Sequence, residues 1–318
     1  MDVTVALVQA RPETILDDHA RLLRLAGLAD DRQGPAGDAA ASTPGLLIAP
    51  PSGGPTPAGD VTPWQLLAVA RARADADAGL PVVWPAGQDP DPDVAHALAA
   101  AGDARGGARD GLDGTPHVVL AGLSTHGRLG VRSVLAAVCA QLAPVAPPGR
   151  LVRKPAALQA VMRRLPPGSL AGGVVDATVC GDGREAAVAE PLAANLLLAS
   201  RDVVALEVVA CRLLGIASAT APLIRAAAAA GWGTDDPVRI DVVGDVAPRP
   251  PRIDARVAPG PLAGWLGDDL PPALRRAWNA WWRHGPPGRA RRRRWQSLPW
   301  ARLRRDWRAG PASERGET

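Results

Sequence analysis

Glu207 stands in the middle of SRDVVALEVVACRLLG (200–215), where ten of sixteen residues are Val, Ala, Leu or Cys. A carboxylate buried without a partner costs several kcal/mol, so it must be paired, protonated or placed at a cavity. Desolvation raises a carboxyl pKa, which suits Glu207 to general acid/base work or metal ligation. An ion pair with an arginine is the structural alternative. Cys211 follows four residues later, on the same helical face.

Asp176 ends the apolar run GGVVD (172–176), ahead of CGDGRE (180–185). Ligands of open α/β sheets lie outside the carboxyl ends of strands, so an acid there is well placed for catalysis. Gly181, Asp182 and Gly183 would let backbone amides approach a phosphate or carboxylate closely. The plainer alternative is a turn in which Asp176 accepts from nearby amides. His126, in LSTHGRLG (123–130), follows another apolar run and is a candidate acid/base or ligand. His126, Asp176 and Glu207 together would form an N/O set suited to a hard or borderline divalent metal of unknown identity. Ser200 and Asp202 precede the Glu207 helix as ligand-binding candidates, and Asp202 is equally a natural N-cap.

The elements that must position these groups alternate along the chain. VTVALVQA (3–10), LLIAP (46–50), PVVW (81–84), HVVLAGL (117–123), GGVVDATV (172–179), LAANLLLAS (192–200) and VRIDVVGD (238–245) read as strands. Helical patterns cover about 12–28, the Thr62-capped TPWQLLAVARARADA, 130–142, 155–164, the Glu207 segment and APLIRAAAAAG. This alternation predicts an α/β fold: a central, mostly parallel or mixed sheet with helices on both faces. Glycine-rich stretches occur, but none matches a P-loop or G-x-G-x-x-G between strand and helix.

Composition narrows the classes. The chain has no Phe or Tyr, one Lys, two Asn and 35 Arg, a joint depletion of AT-rich codons that points to a GC-rich bacterial genome. Arginine is therefore weak testimony for bidentate anion recognition here. Cys139, Cys180 and Cys211 are far apart and form no C-x-x-C, so buried reduced thiols are expected. No intrinsic iron–sulfur motif is present, and the cofactor is unknown. MDVTVALVQARPE reads as a first strand and no run of eighteen apolar residues occurs, so a cytoplasmic location is expected.

Near Val246 the composition shifts. Residues 1–246 are expected to form the α/β domain, and 247–318 a Pro-rich linker and an Arg/Trp-rich C-terminal helical extension. Residues 271–310 carry twelve Arg against one acid, Asp306. Leu274, Trp278, Trp281 and Trp282 recur at helical spacing, as do Leu303 and Trp307, which suits Trp packing on the core with Arg outward. Contact with an acidic partner, a membrane surface or nucleic acid is the alternative.

From about Gly173 to Asp245 the order VVDATVCGDG, LLLASRD, VVALE, RLLG and AAGWGTDDPVRIDVVGD resembles the DUF362 family, a bacterial and archaeal domain of unknown function. The resemblance implies an enzyme or a ligand- or metal-binding protein with a site at the strand ends. It also implies an unknown small ligand and a redox or iron–sulfur partner protein, as some relatives carry ferredoxin-like motifs. Departures are equally plain. IAPP (48–51) replaces the family's Lys-Pro-Asn, Ser124 replaces a lysine before Thr-His, and AAVCAQL (136–142) stands where Lys-Asn is usual. These losses support a second expectation, a divergent non-catalytic interaction protein acting through its basic tail.

Overall fold

The structure, a computed structural model, describes residues 3–29, 45–48, 60–73, 82–83, 116–143, 148–166, 168–183, 189–245, 252–253, 255, 274, 277, 280–281 and 284–309. The strands are β1 (Val3–Gln9), β2 (Gly45–Ile48), β3 (Val82–Val83), β4 (His117–His126), β5 (Gly130–Arg132), β6 (Leu170–Asp182), β7 (Glu190–Ser200) and β8 (Ile240–Gly244). They form one sheet in the order β3-β2-β4-β6-β7-β1-β8, with β5 paired to β4. β7 runs antiparallel to both β6 and β1, and β5 is antiparallel to β4; the other pairings are parallel. The expected α/β architecture is thus present, with a mixed sheet.

Two apolar layers sandwich the sheet because successive strand side chains point to opposite faces. On one face lie α3 (Val134–Leu142), α4 (Pro155–Met162), α5 (Val203–Leu213) and α6 (Pro222–Ala229), packed on Val119, Ala121, Val175, Ala177 and Leu198. On the other lie α1 (Ile15–Leu25) and α2 (Pro63–Arg73), packed on Ala6, Val8, Val118, Leu120, Val174 and Leu197. Gly173 lets the first layer close down: a Cβ there would stand 2.9 Å from Leu206 and 3.0 Å from Val134.

The sequence expectation of a helix over 130–142 needs correction. Gly130 takes φ +78°, and Gly130–Arg132 fold back as β5 against Ser124–His126 before α3 begins. A left-handed glycine ends one element and starts a hairpin, which apolar periodicity alone does not register. The expected linker after Val246 also docks in part. Ile253 is buried, and its N–H donates to the Leu213 carbonyl at 2.7 Å, closing the end of α5. The glycine-rich segments 30–44, 51–59 and 102–114 lie outside the described residues.

The C-terminal extension forms α7 (Pro286–Gln296) and α8 (Pro299–Ala309), which lie on the α1/α2 side. Trp300 is buried and its Nε1–H donates to Asn195 Oδ1 at 2.7 Å. Its ring lies 5.9 Å from that of Trp64, and Trp307 meets Trp64 edge-on at 6.5 Å. Packing of tail tryptophans against the core is therefore observed for Trp300 and Trp307. It does not extend to Leu274 and Trp281, which are 58% and 50% exposed. Trp278 and Trp282 lie outside the described residues.

Candidate functional site

The three proposed catalytic residues do not share a cleft. β6 sends Val175 and Ala177 to the α3/α5 face and Val174 and Asp176 to the α1/α2 face. Glu207 belongs to α5, on the far side of the sheet from Asp176. His126 sits at the carboxyl end of β4, in the turn to β5. Strand parity and the placement of α5 separate the groups, and neither is written in the linear order of the motifs.

Glu207 is buried, and its Oε1 accepts from the Leu135 amide at 2.7 Å. That amide lies in the first turn of α3, so the carboxyl caps a neighbouring helix instead of pairing with an arginine. Burial pushes its pKa up to about 7, opposed by the Leu135 amide and the nearby Ser133 side chain. Oε2 has no hydrogen bond of good geometry among the described residues, and an oxygen so desolvated disfavours the charged form. Burial and the adjacent Glu207 together raise the Cys211 thiol. Cys139 is pushed up to about 12 and Cys180 is also raised, so the three buried cysteines are poor nucleophiles.

Asp176 is fully committed. Its Oδ2 accepts from Thr62 Oγ1 at 2.5 Å and Trp64 Nε1 at 2.9 Å, and its Oδ1 from the Thr178 amide at 2.8 Å. Thr62 also accepts from the Gln65 amide, so one carboxylate ties the start of α2 to the middle of the sheet. Gln65 Nε2 donates to the carbonyls of Ala121 and Val174, bridging β4 and β6. His19 of α1 completes this buried group: its Nδ1–H donates to the Ile15 carbonyl at 2.8 Å. Burial lowers the His19 pKa, partly offset by the charge of Asp176, so the ring is neutral.

At the carboxyl ends of β4 and β6 the candidate loop residues do come together. Ser124 lies opposite Gly181. Thr125 Oγ1 accepts from the Gly183 amide at 2.7 Å and donates to its carbonyl at 2.9 Å, with Asp182 Oδ1 at 3.4 Å. His126 Nδ1 accepts from the Arg128 and Leu129 amides at 3.2 and 3.3 Å, which leaves the proton on Nε2 and fixes the turn. Gly181, Asp182, Gly183 and His126 therefore share one rim, but Thr125 and backbone groups occupy much of their hydrogen-bonding capacity.

Ser200 and Asp202 lie at the opposite end of the sheet. Ser200 pairs with Gly173, eight residues before Gly181 on β6, which corresponds to about 25 Å along a strand. Asp202 is the N-cap of α5: Oδ1 accepts from the Val204 and Ala205 amides, and Oδ2 from Thr234. Ser200 Oγ donates to the Thr4 carbonyl and accepts from the Asp202 amide. Two open depressions of about 580 and 550 Å³ meet here, sharing Val3 and Asp202 and bordered by Arg201, Arg225 and Arg239.

Among the described residues, no group of three or more His, Cys, Asp or Glu side chains is arranged to hold a metal ion. No helix among them is long and apolar enough to cross a membrane. Sequence reasoning missed His19, Gln65 and Asn195. Asn195 was findable: it is one of two asparagines in the chain and interrupts an apolar strand. It takes φ +55°, where β7 carries an extra residue opposite β6, and so presents Oδ1 to Trp300.

The basic surface is the other concentration of chemistry. α7 and α8 hold nine arginines and one acid. Arg291 and Arg304 are buried, whereas Arg289, Arg293, Arg294, Arg302 and Arg305 are exposed. Of these, Arg294 pairs with Glu190 at 2.9 Å.

Compared with known protein families, curated proteins and solved structures, the chain gives no significant match to any of the three.

Proposed function

We propose that this protein is a non-catalytic interaction protein, a divergent relative of the DUF362 family, which presents a basic helical face to an anionic partner. The observation that carries this reading is the contrast between the acids and the arginines. Glu207, Asp176 and Asp202 are each engaged by backbone amides or buried donors at separate places, each doing work for the fold. The exposed arginines of α7 and α8 stand instead on helices anchored through Trp300. Fixed helices bring several cations to one partner together, so the ordering entropy is already met by folding.

The test is binding of the full chain to heparin, a duplex oligonucleotide and anionic vesicles across a salt series. Binding to at least one probe should weaken steeply with salt and vanish in Arg289→Glu/Arg293→Glu/Arg302→Glu/Arg305→Glu, while Glu207→Gln binds as the wild type does. No binding to any of the three defeats the proposal.

A second reading, small-ligand binding, rests on the two depressions that meet at Asp202. Saturable protection from thermal unfolding by a small carboxylate or phosphate, lost in Arg225→Ala, would establish it in place of the first.

A further inference from the structure

We infer that the anionic partner is a membrane surface, on which Leu274, Ala277 and Trp281 lay an apolar strip next to the arginines that begin α7. This rests on the proposed interaction role and narrows it to one kind of partner. Leu274, Ala277, Ala280, Trp281 and His284 are helical and exposed. Leu274, Ala277 and Trp281 fall at i, i+3 and i+7, the spacing of one helical face. A lone exposed leucine means little, but an aliphatic residue and an indole on one face next to clustered cations form an interfacial pattern.

The strip and the cations are joined directly. The Gly285 amide donates to the Trp281 carbonyl at 2.7 Å, one helical turn back, and a Cβ at Gly285 would stand 2.4 Å from that carbonyl oxygen. Pro286 then starts α7 at once. Arg289 Nη1 donates back to the His284 carbonyl at 2.9 Å, fixing the first exposed arginine against the end of the strip. Arg293 follows one turn later.

The choice between lipid and nucleic acid turns on the apolar residues. Bases are gripped by stacking on planar side chains in a cationic groove, and neither Leu274 nor Ala277 offers a planar face. At a bilayer interface the same residues enter the acyl boundary, the indole sits at headgroup level, and guanidinium groups meet lipid phosphates and carboxylates. Each arginine near an anionic leaflet strengthens association roughly fivefold, so this small apolar strip needs the cations to hold.

Co-sedimentation of the full chain with phosphatidylcholine vesicles, and with phosphatidylcholine vesicles containing phosphatidylserine, tests the inference beside a duplex oligonucleotide. Binding is expected only to the phosphatidylserine vesicles and should fall at least roughly tenfold in Leu274→Ser/Trp281→Ser. A similar or greater loss is expected in Arg293→Glu/Arg302→Glu/Arg305→Glu. These positions are exposed, and wild-type circular dichroism and melting would confirm that the variants fold. Vesicle binding unchanged by the apolar substitutions, or binding to the oligonucleotide without vesicles, overturns the lipid inference and leaves the broader interaction role standing. Binding to neither overturns the lipid inference, and if heparin also fails to bind it overturns both.

Discussion

Glu207→Gln separates a catalytic carboxyl from a structural one. Burial holds the Glu207 pKa up at about 7, against 4.5 for the free side chain. A raised native pKa means that the folded protein binds more protons than the unfolded chain between those values. The resulting stability is fully present below pH 4.5 and is lost as pH rises through about 7. At about 1.4 kcal/mol per pH unit, the loss is on the order of 3 kcal/mol for this fully buried group. Glutamine keeps an oxygen for the Leu135 amide and offers an N–H toward Ser133, whose buried hydroxyl has no hydrogen bond of good geometry. It does not ionise. Urea unfolding of both proteins at several pH values between 4.5 and 8 removes the titrations they share. The variant should gain on the wild type steadily with pH, by about 3 kcal/mol across the range. A difference that stays flat with pH, or a wild type that outlasts the variant at pH 8, would refute the account of Glu207 as a desolvated helix cap.

Asp176→Ala should remove about 3 kcal/mol or more, because Thr62, Trp64 and the Thr178 amide lose a buried charged acceptor together. Denaturant titration reads this directly, and a loss under about 1 kcal/mol would show that water reaches the group. Trp300→Ala should cost about 3–5 kcal/mol and open α8 to protease, since it leaves a cavity against Trp64 and strands Asn195 Oδ1. Unchanged stability and proteolysis would mean that the tail helices do not share the core.

Much of the fold was legible along the chain. Every expected strand segment contains a strand among the described residues, because short apolar runs between Gly, Pro and Asp punctuation have few other outcomes. Asp202 was readable as a cap from its place before an apolar helix, and the structure gives it three backbone donors. The hairpin at Gly130 was hidden because apolar residues on either side of a glycine continue the same pattern in a helix or a turn. Exposure of Leu274 and Trp281 was hidden for a related reason: helical spacing defines a face without saying what it meets.

The sequence by itself determined the class of fold, the order of its elements, the buried setting of Glu207 and the concentration of positive charge at the C-terminal end. These follow from local propensity and periodicity, which need only neighbours in the chain. Only the tertiary structure decided that Asp176 and Glu207 stand on opposite faces of one sheet, and that the Asp176 group is closed over by a tail more than a hundred residues away. The face a strand residue occupies depends on parity, bulges and the side on which each crossover passes. Those are properties of the assembled sheet, and a motif read along the chain does not contain them.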